Sequence, residues 1–152
     1  VSGGSEDVVA CEAFGPAPVL EDYPGLFWYG IHSAEVLFAF MGKGCARVRA
    51  MPYQEMDVVI GEWEDGRLGL LRGTRFAKGR FGCVVHTATE THVGLAQSTP
   101  PYYYLLLQKV VEFFKTRTSP IDMEETFDII AFLAAADQSK ANGGAVVSVE
   151  TL

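Results

Sequence analysis

His32 and Glu35 are the residues whose types and spacing best suit proton chemistry. They lie in residues 25–41, GLFWYGIHSAEVLFAFM, an otherwise almost wholly apolar stretch. An imidazole exchanges protons near neutral pH, and a carboxylate one helical turn away can orient it or raise its basicity. At about 3.6 residues per turn, Trp28, Ile31, His32, Glu35 and Ala39 share one helix face. The run Val36 to Met41 is apolar all round, so that end of the helix is expected to be buried. Burying the His–Glu pair without partners or water is costly, so its face is expected to look into a cleft or a second polar layer. Spacing alone allows a plainer arrangement equally well, a core histidine satisfied by the neighbouring carboxylate.

Other chemistry-bearing residues are poorer candidates. His86 and His92 fall in strand-like sequence with no third ligand at metal-site spacing, so they read as surface or edge histidines and no metal is expected. Cys11, Cys45 and Cys83 are far apart, without a CxxC pair, which suits reduced, mostly buried thiols in a cytoplasmic protein. Gly42-Lys43-Gly44 follows a helix and precedes a strand, the reverse of a phosphate-binding loop, and reads as a helix cap.

The elements that must position His32 alternate clearly. Residues 5–14 read as a first strand, ended by Gly15-Pro16-Ala17-Pro18, and Pro24-Gly25 marks a turn before a helix over about 27–41. Residues 45–53, 56–64 and 67–76 have strand period. Asp65-Gly66 between the last two signals a hairpin with a type I′ turn. Residues 81–96 read as one or two more strands. Residues 102–116 read as a helix whose core stripe is Leu105, Val110, Phe113 and Phe114. Tyr102, Tyr103 and Tyr104 suit packing better than a ligand platform. A further helix over 123–142 opens with Asp122 and Glu125 as a capping box and carries the stripe Phe127, Ile130, Ala131, Ala134 and Ala135. A last strand over 145–151 joins the sheet. The resulting fold class is α+β, an open, mostly antiparallel sheet with helices packed on one face. Its other face, with Trp63, Leu70 and Val85, is expected to bind a second copy of the chain.

The chain has 152 residues, of which 49% are hydrophobic and 20% charged, enough for one domain with a real core. A net charge of −7 argues against a nucleic-acid partner, which requires a basic footprint. No apolar run approaches the ~20 residues of a membrane span. The first residue is Val1 rather than methionine, which suggests further residues upstream.

Three stretches carry a resemblance: Tyr29-Gly30-Ile31-His32-Ser33-Ala34-Glu35; residues 57–67, DVVIGEWEDGR; and Glu124-Glu125-Thr126 with residues 135–140, AADQSK. Together they resemble the C-terminal domain of the Gfo/Idh/MocA oxidoreductases, over residues 8–149. The resemblance implies that residues 1–152 are the substrate-binding and dimerising half of a two-domain enzyme. NAD or NADP would be bound mainly by an N-terminal Rossmann domain not contained here, together with that domain's catalytic lysine. The substrate would be a small molecule: a sugar, polyol or related hydroxy compound. His32 matches the family's catalytic histidine; Glu35, Trp28 and Tyr29 would contact substrate. Many members carry an acid four residues before the histidine, where this chain has Trp28. The fragment alone would be inactive. The rival expectation is a non-catalytic oligomerisation or ligand-binding sheet domain.

Overall fold

The computed structural model describes residues 7–23, 25–75 and 78–150. Seven strands form one sheet: β1 (Val8–Pro16), β2 (Cys45–Pro52), β3 (Met56–Trp63), β4 (Leu68–Thr74), β5 (Gly82–Thr87), β6 (Thr91–Leu95) and β7 (Val147–Ser148). Their spatial order is β6-β5-β1-β4-β3-β2-β7, antiparallel except where β1 and β4 run parallel. Three α-helices complete the fold: α1 (Ile31–Met41), α2 (Tyr102–Thr116) and α3 (Met123–Ala141). This is the α+β architecture that the alternation of strand and helix periods predicts. The expectations for Ser5, Pro24, Phe76 and Thr151 concern positions outside the described residues.

The core lies between the sheet and the pair α1 and α3. Cys11, Ala13, Val48, Ala50, Val59, Leu71 and Val85 line the sheet's inner face; Leu37, Phe38, Met41, Phe132 and Leu133 meet them from the helices. Glycines on that face admit large neighbours. A Cβ on Gly69 would lie 2.6 Å from the Trp63 ring, and one on Gly61 would lie 2.9 Å from it. Trp63 is thus buried on the helix side and donates from Nε1 to the Gly42 carbonyl, 3.0 Å away. Val85 is also buried, so of Trp63, Leu70 and Val85 only Leu70 belongs to the outer face. That face carries the row Arg49, Ile60, Leu70, Glu12 and Val84 in register.

Other expectations need correction. The β3–β4 hairpin exists, but Gly66 takes positive φ (86°) and Asp65 does not. The Gly66 N–H donates to the Trp63 carbonyl, giving a type I turn followed by a glycine bulge in place of type I′. Strand β1 continues through Gly15 and Pro16, because the parallel partner β4 runs alongside to Thr74. Helix α2 has its predicted bounds, yet Leu105, Val110, Phe113 and Phe114 are all exposed and no residue of the helix is buried. In α3 the inward residues are Ile129, Phe132, Leu133, Ala136 and Ser139, with Ala131 and Ala135; Phe127 and Ala134 face out. Asp122 caps α3 by accepting from the Glu124 N–H, but also pairs with Lys43, and Glu125 borders a cleft.

Charges beneath this core are organised around Asp57, which is buried. Its carboxylate accepts from Arg75 at 2.8 Å and lies 3.6 Å from Lys140, which pairs in turn with Asp137 at 2.7 Å. Asp137 occupies the space a side chain at Gly25 would need, 2.1 Å from the position of its Cβ, and Gly25 has φ +41°. The network therefore supports the turn that leads into α1. Ser139, from the same AADQSK stretch, accepts from the Ala50 N–H and donates to the Ala145 carbonyl. Asp57→Ala leaves two cations without their shared anion and is expected to cost about 3 kcal/mol in chemical denaturation, whereas Asp57→Asn, keeping the shape, should cost less.

Candidate functional site

Helix α1 begins at Ile31, with Gly30 as its N-cap. A side chain at Gly30 would run into Leu26, 2.6 Å from its Cδ2, so the turn over Trp28 to Gly30 closes tightly on a buried leucine. His32 consequently stands in the first turn with its ring half out of the protein. Its Nδ1 lies 3.0 Å from Glu35 Oε2, with side-chain exposures of 51% and 56%. A carboxylate only accepts, so Nδ1 is the protonated nitrogen in this contact, which in the neutral imidazole leaves the lone pair on Nε2.

Two aromatic rings flank the imidazole. Tyr29 is 5.3 Å away and nearly perpendicular (87°); Phe81 is 5.7 Å away at 85°. Beyond Glu35 opens a cleft of about 750 Å³, lined by Glu35, Ile121, Asp122, Glu125, Thr126 and Ile129 among others. On the other side Tyr29 and Phe81 border a hollow of about 280 Å³, with Pro16, Arg80 and Tyr102. The imidazole is not sealed in the interior.

The structure brings together His32, Glu35 and Tyr29 but not Trp28. Trp28 precedes the helix instead of sharing its face, and its ring packs against Tyr23 with centroids 4.8 Å apart and planes tilted by 41°. The sequence does not single out Phe81 or Arg80, and it offers Tyr102 only within a tyrosine cluster read as packing. Their only signal was a strand start and a helix start, and register alone does not reveal that β5 begins beside the N-terminus of α1.

Other candidates are structural. His86 bonds Thr91 Oγ1 at 3.1 Å and His92 approaches Glu90 at 3.5 Å, both on the β5–β6 hairpin. Among the described residues no three metal-ligating side chains converge. No helix among them is long and apolar enough to cross a membrane. Gly42 has positive φ and caps α1, while Lys43 pairs with Asp122 at 3.1 Å and Glu124 at 2.5 Å, so this loop clamps α1 to α3. Burial pushes the Cys11 thiol up to about 12, with Cys83 and Glu12 adding to it, and pushes Cys45 up to about 12 as well.

No family model matches the chain, and no curated protein matches it. Solved structures do. The chain superimposes on scyllo-inositol dehydrogenase from Lactobacillus casei with bound NAD(H) and scyllo-inositol at TM-score 0.76 and 13% identity, over 95% of this chain and 57% of that one. GenD2 from gentamicin A biosynthesis, in complex with NAD, gives 0.75 and 17%, over 95% and 56%. A probable dehydrogenase from Thermotoga maritima gives 0.75 and 17%, over 97% and 58%. The fold is thus shared with an inositol dehydrogenase, with GenD2 and with a probable dehydrogenase, and this chain spans a little over half the length of those it matches.

The smaller hollow is aromatic, with Tyr29, Phe81 and Tyr102, the larger cleft is not, and the sequence has no strand–glycine loop–helix unit to hold a pyrophosphate. As to the thiols, thiolate attack by Cys11 or Cys45 at pH 8 is negligible, since burial holds both thiols protonated. The expected result is that disulfide reagents label them only as the chain unfolds. The raised values keep both thiols neutral in the folded state. Their contribution to stability is therefore full below about pH 9, the unfolded value, and declines as pH rises toward 12, which thermal midpoints between pH 8 and 11 check.

Proposed function

We propose that this chain is the substrate-binding half of a Gfo/Idh/MocA-type oxidoreductase that uses NAD or NADP to oxidise or reduce a sugar, polyol or related hydroxy compound. One observation carries the reading: an exposed histidine with its Nδ1 engaged by a carboxylate and no partner on Nε2 among the described residues, whose neighbours line two hollows, Glu35 the larger and Tyr29 and Phe81 the smaller. The fold shared with scyllo-inositol dehydrogenase and with GenD2, both solved with the nicotinamide cofactor bound, supports it.

Oxidising a secondary alcohol removes a hydroxyl proton and a hydride. Nicotinamide, when bound, takes the hydride. Nε2 of His32 takes the hydroxyl proton. The resulting imidazolium keeps its Nδ1–H on the Glu35 carboxylate, between the rings of Tyr29 and Phe81, which stand nearly perpendicular to it at 5.3 and 5.7 Å. Trp28 replaces the acid that many relatives carry, and its ring turns to Tyr23, so the proton cannot pass on through that position. Glu35 takes over the supporting role from the opposite side. Tyr29, at the edge of the smaller hollow, offers a stacking surface for a sugar ring. The carboxylates of Glu35 and Glu125 along the larger cleft suit an uncharged polyhydroxy compound over an anionic one.

In the enzyme carrying both halves, His32→Ala is expected to lower kcat roughly 100- to 10,000-fold for its cyclitol or sugar substrate, with nicotinamide affinity unchanged by titration calorimetry. Unaltered turnover would leave His32 as packing, and a non-catalytic sheet domain would become the better reading. The outer sheet face, with Ile60, Leu70 and Val84 in one row, suits association with a second copy. Ile60→Arg is accordingly expected to shift the chain from dimer to monomer in sedimentation; a chain monomeric before the substitution would remove that assignment.

A further inference from the structure

We infer that Phe81 is the positioning residue for His32 and that Gly15 is a glycine because Phe81 needs its space. The inference rests on His32 being the base, and it concerns how the imidazole is aimed. Gly15 is on β1 and its φ is not in the positive region, so backbone freedom does not explain it. Space does. A Cβ at Gly15 would lie 2.2 Å from Phe81 Cδ1 and 2.6 Å from Phe81 Cε1, so the ring fills the volume of the missing side chain. The same Cβ would lie 2.8 Å from Ser33 Oγ on α1. Gly15 is thus the point where sheet, helix α1 and the Phe81 ring meet.

Phe81 is itself held by the sheet. Its carbonyl accepts from the Ala96 N–H at 2.8 Å, next to the Gly82–Leu95 pair of the β5–β6 ladder. Tyr29, the other flanking ring, sits in the same turn as His32 and moves with the helix. Phe81 comes from a different element, so it is the ring that references the imidazole to the sheet. With Phe81 on one side, Tyr29 on another and Glu35 on Nδ1, the imidazole has one comfortable orientation. A half-exposed histidine without those walls would rotate freely and exchange its two nitrogens. The aromatic pair thereby fixes which nitrogen faces the hollows.

The test is long-range imidazole ¹H–¹⁵N spectra on the ¹⁵N-labelled 152-residue chain, recorded where His32 is neutral. Wild type is expected to show the Nδ1–H tautomer and nuclear Overhauser contacts between the His32 and Phe81 rings. Phe81→Leu removes the wall, and Gly15→Ala displaces it. In each, the tautomer is expected to become mixed while the amide spectrum stays dispersed, and Phe81→Tyr should restore the single tautomer. In the enzyme carrying both halves, Phe81→Leu should lower kcat on the order of tenfold to a hundredfold with little change in KM. Wild-type tautomer fractions in both Phe81→Leu and Gly15→Ala would overturn the inference and leave the catalytic reading of His32 intact. Normal turnover in His32→Ala with a clamped wild-type ring would overturn the catalytic reading, and the positioning role with it.

Discussion

The structure depends on helix α1 being pinned at its carboxyl end. Trp63 Nε1 bonds the Gly42 carbonyl, and Arg67 donates to the Met41 carbonyl at 2.9 Å. Both residues belong to the β3–β4 hairpin, so donors from one turn satisfy carbonyls that a helix end otherwise leaves unpaired. Arg67 also brings positive charge to the negative end of the helix dipole, and Asp65 holds its guanidinium at 2.7 Å. The Trp63 ring can lie there only because Gly61 and Gly69 offer no side chains beneath it. Fixing one end of a rigid helix fixes the other, and the other end carries His32.

This gives the DVVIGEWEDGR stretch a physical meaning residue by residue. Asp57 anchors the buried charges, Gly61 makes room for Trp63, and Trp63, Asp65 and Arg67 hold α1. AADQSK does comparable work from α3: Asp137 and Lys140 extend the charge network, and Ser139 joins the Ala50 N–H to the Ala145 carbonyl. Neither stretch touches the hollows beside His32. Buried charges of this kind contribute little net stability but penalise wrong packings heavily once one partner is displaced. A helix whose far end must present one imidazole in one orientation gains from that intolerance.

Strand periods, the hairpin signal and the His–Glu pair were legible in the sequence because each is a local pattern. What failed was sidedness. Trp63 and Val85 alternate with Glu62 and Val84, and nothing in a period of two tells which face meets the helices. In α3, Phe127 and Ile130 looked as suitable for the core as Ile129 and Phe132, because small alanines fill the positions between and blur the stripe. Helical periodicity carried through Gly30 puts Trp28 on the helix face, but the chain turns there over Leu26. Phe81 was invisible for a related reason: its importance comes from Gly15, 66 positions earlier in the sequence by the difference of the two residue numbers, through a contact that exists only after β5 pairs with β1.

Helix α2 is the element where local pattern and tertiary placement part most clearly. Tyr103, Leu106, Leu107, Val110, Val111 and Phe114 cover one broad side, with Gln108, Lys109, Glu112 and Lys115 opposite, and the whole helix stands exposed. An amphipathic pattern states that a helix needs an apolar neighbour and is silent on where that neighbour comes from. Position supplies what the pattern omits. Tyr102 opens the helix at the rim of the smaller hollow, and Ser119 to Ile121, just past its end, line the larger cleft. Any body seated along α2 would therefore border both surfaces beside His32, so covering this helix and walling the imidazole would be one geometric event.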